Sequence, residues 1–359
     1  MDINFVRKIN KFIRDKRPYV KNDSFCQIFQ AGDLLEIAFM SKQCKNNLCG
    51  SCIMCDYGHF ESTGSIQDYL DEMRDILKNT KNEIKFLLLC TNGSLLDKYQ
   101  ISTNLLKEIL REANDCNIPN IILEVHYRDI DVTKLDLIKS IVKKPLTIEM
   151  GLETIDSKYQ DAFFMKGIKL DKYENKIKLI QSYGYAVEIN LMLGLPFLSA
   201  KEQIEDVKQS VMWVVEHNCV PIIFPINIKP FTLLRYIYDK GLYNPVSLWL
   251  LIALLDSFET DLLSKIVVAW YGNRVENYSN CIPTIVPTSC EFCSENLTLF
   301  FKNFLSTDDP QKRKNFIQEL INNVNCNCYD KIVNQISNSY CQFETSYSNF
   351  IEILKKSFC

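Results

Sequence analysis

The sequence predicts an α/β protein built on a parallel sheet. Two observations carry this: strand-like and helix-like segments alternate over most of the 359 residues, and the alternation stops near Ser264. Six strands are expected, Leu34 to Met40, Ile84 to Cys90, Asn120 to Val125, Leu146 to Met150, Ala186 to Met192 and Val220 to Ile226. Between them lie helical stripes such as Ile66, Tyr69, Leu70, Met73, Ile76 and Leu77, and Ile204, Val207, Val211, Val214 and Val215. With right-handed crossovers, six parallel strands form either an open doubly wound sheet or an incomplete (β/α) barrel. Both place chemistry at the C-terminal ends of the strands. From Lys265 onward the chain reads as one strand-like run, Ile266 to Tyr271, a cysteine-bearing loop and helices, so a small appended α+β unit is expected there.

Composition bounds the function. The chain is 47% hydrophobic and 24% charged, enough apolar content for a sizeable core. Lys and Arg number 41 against 44 Asp and Glu, a net charge of −3, so no global positive field favours a dedicated nonspecific nucleic-acid binder. One dense basic stretch exists, with Arg7, Lys8, Lys11, Arg14, Lys16, Arg17 and Lys21, and it is a candidate for touching phosphate. The longest largely apolar run, Val246 to Leu255, is well short of the roughly 20 residues a membrane span requires, and the basic N-terminus carries no apolar signal segment. A cytoplasmic protein without membrane association is therefore expected.

Fifteen cysteines, an odd number, in a long chain without a secretion signal point to reduced thiols and metal ligation rather than a disulfide framework. Four fall within twelve residues, Cys44, Cys49, Cys52 and Cys55, in the segment CKNNLCGSCIMCDY directly after the first expected strand. Soft thiolates on a glycine-containing loop suit zinc or an iron–sulfur cluster. Structural zinc sites draw their ligands as two separated pairs, so a cluster fits this run better. A later group, Cys281, Cys290 and Cys293, is a candidate second metal site, zinc or iron–sulfur, with a fourth ligand from Cys326, Cys328 or Cys341. Cys26, Cys90, Cys116 and Cys219 lie among apolar neighbours and read as small buried hydrophobes.

A cysteine loop after the first strand of a six-unit β/α chain resembles the radical SAM superfamily. In that family three cysteines ligate a [4Fe–4S] cluster and leave the fourth iron for S-adenosylmethionine (SAM). The common spacing is C-x3-C-x2-C, and this chain departs from it because Leu48 stands where the first cysteine would be. Two triads fit: Cys49, Cys52 and Cys55, or Cys44, Cys52 and Cys55. The second is preferred, since branches resembling the elongator catalytic subunit use a long first gap. Further along, CIMCDY, CTNGSLLD, EVHYRDI, EMGLET, LMLGLPFLSAKEQIED and SCEFC occur in the order seen in the radical SAM subunit of archaeosine synthase and its relatives.

The resemblance implies a partial (β/α)6 TIM-like barrel over 34–264, preceded by a helical arm over 1–33 and followed by a cysteine-containing domain over 265–359. It implies that the turn after the second strand, Asn92, Gly93 and Ser94, contacts the SAM ammonium. It also implies that Glu153 after strand four lies near the SAM ribose, while Glu124 and Arg128 after strand three are candidates to bind SAM or to form a rim salt bridge, and Asn190 in strand five is a further candidate. Asn190 interrupts an apolar strand, where an unpaired amide costs about 1–3 kcal/mol, so a ligand or a backbone carbonyl is expected as its partner. No residue is assigned a catalytic role. One-electron cleavage of SAM to a 5′-deoxyadenosyl radical, a reductant such as flavodoxin or ferredoxin, and a modified tRNA base whose lysine side chain is cleaved are further implications. Alternatives are a radical SAM enzyme acting on a small metabolite, nucleoside or peptide, and a non-enzymatic iron–sulfur or zinc scaffold.

Overall fold

In the computed structural model the described residues are 2–18, 24–56, 64–80, 83–269, 283–323 and 326–358. They form one curled eight-stranded sheet whose strand order follows the chain, β1 to β8. The strands are β1 Cys26–Ala31, β2 Leu34–Phe39, β3 Phe86–Thr91, β4 Asn120–Val125, β5 Leu146–Glu153, β6 Ala186–Leu193, β7 Val220–Pro225 and β8 Val267–Val268. β1 pairs antiparallel with β2, and every later pairing is parallel. Helices Ile66–Lys78, Thr103–Asp115, Val132–Ile141, Leu170–Ser182 and Ala200–Glu216 make the crossovers between β2 and β7. Sequential order with a helix after each strand is the partial TIM-like barrel, not the doubly wound sheet, whose order reverses at a switch point.

Alternation along the strands separates two faces. In β6, Val187, Ile189, Leu191 and Leu193 are buried beneath the helices, and Glu188, Asn190 and Met192 therefore point to the concave interior. Ile148 in β5 and Leu123 in β4 are likewise fully buried, leaving Glu149 and Glu124 on the interior face.

The six expected strands are present within three residues at each end. Two expectations are corrected. The stretch 1–33 holds helix Ile3–Arg14 and also strand β1, which turns into β2 through Gly32 at φ 58°, so it is more than a helical arm. The sheet continues past 264, because β8, inside the expected strand-like run Ile266 to Tyr271, adds to β7. Beyond β8 the described residues form helices Glu291–Leu305, Pro310–Asn323, Cys328–Ser337 and Phe343–Phe358, which with β8 make the small α+β extension.

This extension is packed onto the barrel. The buried Arg313 guanidinium donates to the carbonyls of Ile266 at 2.8 Å and Phe304 at 3.0 Å, while Lys314 and Tyr329 both reach Asp256 at the end of helix Leu248–Asp256. The last helix stacks Phe343 and Tyr347 on Phe163, and Phe350 on Phe197. Among the described residues no helix is long and apolar enough to cross a membrane.

Candidate functional site

The cysteine loop sits at the C-terminal end of β2 and is held from three sides. Cys44 caps the short helix Lys45–Leu48, and Gly50, at φ 76°, lies where any Cβ would come within 2.2 Å of the Arg7 carbonyl. The loop then turns inward: the Cys52 and Ile53 N–H groups donate to the Phe164 and Phe163 carbonyls, both at 2.9 Å, in the segment after β5. Ser51 Oγ and the Arg7 guanidinium both donate to the Met165 carbonyl. Most of the fixing comes from Arg14, whose guanidinium lies beneath the loop and donates to the carbonyls of Asn47 (2.9 Å), Ser51 (2.8 Å), Cys55 (2.8 Å) and Cys52. Arg17 pairs with Asp56 at 3.2 Å, and Lys229 reaches the other oxygen of the same carboxylate at 3.4 Å.

The loop buries Cys52 fully, keeps Cys44 and Cys55 half-buried and leaves Cys49 exposed at the end of the short helix. Burial pushes the Cys52 thiol up to about 11, and neighbouring Lys166 and Arg14 oppose that rise while Cys44 and Glu153 add to it. Burial, Cys52 and Asp56 push Cys55 up to about 12, with Cys44 adding to the rise and Arg14 opposing it. The three thiols that feel one another's charge are thus Cys44, Cys52 and Cys55. Arg14 and Lys166 supply positive charge where three thiolates would collect.

The turn after β3 packs directly on this loop. A Cβ on Gly93 would lie 3.0 Å from Cys44 Sγ and 2.9 Å from Gln100 Oε1, so only glycine lets the turn and the first cysteine approach. Asn92 donates to the Ser41 carbonyl at 2.8 Å, and the Ser94 N–H donates to Gln100 Oε1 at 2.6 Å. Ser94 Oγ accepts from the His126 N–H at 3.0 Å, which ties the turn to the end of β4.

The other expected site residues divide. Glu153, at φ 73° beyond a register shift in β5, is buried and ion-paired with Lys166, and its second carboxylate oxygen has no partner. Burial alone would lower the Lys166 ammonium, but Glu153 and then Cys52 outweigh it and raise it. Arg128 lies over the Tyr127 ring and donates to the Lys166 and Gly167 carbonyls, so it braces the same segment that grips Cys52. Asn190 does not use a backbone carbonyl: its Nδ2 donates to Glu149 Oε1 at 2.8 Å, and its buried Oδ1 has no protein partner.

Glu124, Glu149 and Glu188 occupy facing positions on three neighbouring strands, all on the interior face. Burial, and then Glu124 and Glu188, raise the Glu149 carboxyl well above its ordinary range, with Glu36 on β2 contributing. Burial raises Glu188 to about 7. The interior of the barrel is therefore acidic. His126 at its rim is held neutral, pushed down to about 3 by burial, Lys166 and Arg128.

Of the later cysteines, Cys290 and Cys293 converge with Cys326 and Cys328, all four Sγ atoms lying within 4.8 Å of one another. Cys341 instead donates to Glu202 at 2.9 Å, and Cys281 lies outside the described residues. Arg14 and Lys166 were not singled out as site residues from the sequence, since each reaches the cysteine loop only through the fold. In the basic N-terminal stretch Arg14 and Arg17 are committed to the cysteine loop and Arg7 to the Met165 carbonyl beside it, Lys8, Lys11 and Lys16 are exposed, and Lys21 lies outside the described residues.

No family model matches the chain. Among curated proteins it is 25% identical over 286 residues to archaeosine synthase subunit beta of Methanosarcina acetivorans, covering 77% of this chain and 79% of that one. It is 24% identical over 211 residues to the subunit of the same name from Thermococcus kodakarensis, covering 55% and 63%. Among solved structures, the N-terminally truncated Elp3 of Methanocaldococcus infernus matches with a TM-score of 0.50 at 12% identity, over 77% of this chain and 63% of that chain, a likeness of fold. The chain thus spans less than two thirds of the Thermococcus and Elp3 chains. With this partial barrel and a cysteine loop at its rim, the chain is similar in sequence to the archaeosine synthase β subunits and in fold to Elp3, and so resembles the radical SAM superfamily.

Proposed function

We propose that Cys44, Cys52 and Cys55 hold a [4Fe–4S] cluster, with SAM bound across the rim between the Asn92–Gly93–Ser94 turn and the ends of β4 and β5. When bound, such a cluster supplies the electron, delivered by a flavodoxin or ferredoxin, that cleaves SAM to methionine and a 5′-deoxyadenosyl radical, which takes hydrogen from a substrate carbon. The observation that carries this is the close seating of Gly93 against Cys44 Sγ, which sets the expected SAM turn beside the expected cluster ligand. In this reading Arg14 neutralises charge under the thiolates, Ser94, Glu124 and Glu153 offer acceptors to the ammonium or ribose, and Asn190 offers its free carbonyl oxygen to the same ligand. Met54 and Ile53, both buried, keep water from the inner side of the loop.

For the substrate, we infer a modified base in tRNA, or its nucleoside, carrying an amine. The relatives named archaeosine synthase support the nucleoside. The interior glutamates support the amine: Glu124, Glu149 and Glu188 face one another, burial and their mutual repulsion raise Glu149, and an entering ammonium would relieve that repulsion whereas a phosphate would add to it. The second reading, a small amine metabolite or peptide, is favoured by the commitment of three N-terminal arginines to the cysteine loop and the Met165 carbonyl beside it, which leaves a thinner basic surface for RNA.

The test is 5′-deoxyadenosine formation by reconstituted protein with dithionite, measured with total tRNA, with mixed nucleosides and with small amines. Stimulation by tRNA that falls steeply with salt, and falls again when Lys8, Lys11 and Lys16 are changed to Glu, supports the tRNA reading. Stimulation by small amines alone replaces it with the second. Absence of SAM cleavage in a cluster-loaded protein contradicts both.

A further inference from the structure

The C-terminal cysteines form a second centre unrelated to the rim loop. Cys290 is the N-cap and Cys293 the third residue of helix Glu291–Leu305, and Cys328 opens helix Cys328–Ser337 with Cys326 two residues before it. Two C-terminal helices thus bring two cysteine pairs, 33 residues apart from Cys293 to Cys326, to one point. Cys290 Sγ and Cys293 Sγ are 2.9 Å apart, and Cys293 Sγ and Cys326 Sγ 3.4 Å. A tetrahedral ion bound to four sulfurs at about 2.3 Å sets them about 3.8 Å apart, within the mutual 4.8 Å span of this group.

We propose that Cys290, Cys293, Cys326 and Cys328 bind one zinc ion that clamps the C-terminal helices to the barrel. Four thiolates without an open position make a closed structural site, in contrast to the three-cysteine rim. Two pairs of cysteines separated in sequence are the usual supply for such a site. A [4Fe–4S] cluster does not suit this group, since sulfurs that bind four separate irons stand further apart than sulfurs that share one ion.

The surroundings suit an anionic tetrathiolate centre. Trp249 Nε1, on the buried helix Leu248–Asp256, donates to Cys293 Sγ at 3.2 Å, the kind of outer hydrogen bond that orients a metal-bound sulfur. Both cysteine-bearing helices, of 15 and 10 residues, begin at the centre, so both present their positive N-terminal ends to it. Cys293 is fully buried, and Tyr329, next to Cys328, stacks on Trp249 and bonds to Asp256. The ion would therefore join three helices that are distant in sequence, and with them fix the extension whose last helix covers Phe163 beside the cysteine loop.

Metal analysis of the full chain, purified aerobically before any iron is added and then again after reconstitution, tests this. One zinc per chain is expected in both preparations, with iron appearing only in the second. Growth with cobalt should give the intense visible bands of tetrahedral tetrathiolate cobalt. Cys326→Ser and Cys328→Ser should each lose the zinc while Cys44→Ala keeps it, and the zinc-free variants should still take up rim-cluster iron. Should either variant fail to fold, a mercurial thiol reagent on the wild-type protein should release one zinc per chain. A protein without zinc, with iron in its place, or with Cys290–Cys293 and Cys326–Cys328 disulfides in the purified chain would overturn the proposal. So would retention of zinc in both serine variants. None of these outcomes bears on SAM cleavage at the rim, so the two assignments fail separately.

Discussion

Replacing Arg14 by Ala should disconnect the cysteine loop from the barrel without unfolding it. The guanidinium donates to the carbonyls of Asn47, Ser51, Cys52 and Cys55, and charge-assisted bonds of this kind contribute about 1.5–3 kcal/mol each. The sum is an upper bound, because every one of those carbonyls has a second donor: Gly50 N–H on Asn47, Asn10 Nδ2 on Ser51, Cys55 N–H on Cys52 and Asn47 Nδ2 on Cys55. The buried guanidinium also carries a desolvation cost, seen in the downward pull on its pKa, that the substitution recovers. The net loss is about 3–5 kcal/mol, which lowers the population of the ligating loop conformation by a factor of roughly 10² to several 10³. Arg14→Lys should be nearly as damaging, since one ammonium cannot span four carbonyls. The assay is iron and sulfide per chain after anaerobic reconstitution, with far-UV circular dichroism to show that the barrel persists. Arg14→Ala protein with full iron content and undiminished SAM cleavage would refute the role given to this residue.

Gly93→Ala should crowd Cys44 Sγ and Gln100 Oε1 at a cost of about 1–3 kcal/mol and lower both iron incorporation and SAM affinity, which titration of the loaded protein would show. Unchanged SAM affinity would separate the turn from the site. Glu188→Gln should stabilise the protein at high pH. The folded carboxyl titrates at about 7 against an ordinary 4.5, so its contribution is fully present below pH 4.5 and is lost as pH rises through 7. That shift corresponds to about 3 kcal/mol at most, and partial solvent access reduces it. Denaturant midpoints at pH 5 and pH 8 should therefore differ less in Glu188→Gln than in the wild-type protein, and an equal pH dependence in both would contradict an acidic interior.

The barrel was legible because its signals are local. Alternating and helical periods mark β2 to β7 and the helices between them, and short turn motifs mark the strand ends where chemistry collects. β1 escaped because its burial is one-sided at a sheet edge, whereas β8 falls inside the strand-like run Ile266 to Tyr271. The cysteine loop was legible as a candidate cluster site, and the preference for Cys44 over Cys49 remains a proposal that the exposure of Cys49 supports. Arg14 looked like one charge in a basic run, and nothing in a sequence says that a helix beginning at Ile3 will lie under a loop near residue 50. The same holds for Lys166, whose partners are Glu153 and the loop, and for the pairing of Cys290 and Cys293 with Cys326 and Cys328 rather than Cys341. Local composition names the chemistry, and long-range packing names the partners.

The most direct test compares Cys44→Ala with Cys49→Ala, each reconstituted anaerobically and assayed for iron, sulfide and 5′-deoxyadenosine formed with dithionite. The account predicts that Cys44→Ala, like Cys52→Ala and Cys55→Ala, loses both the [4Fe–4S] centre and SAM cleavage, while Cys49→Ala keeps both because its exposed thiol is not a ligand. Loss of the cluster in Cys49→Ala with retention in Cys44→Ala would contradict the geometry of the loop, and retention of SAM cleavage in all four variants would contradict the radical SAM assignment of this site.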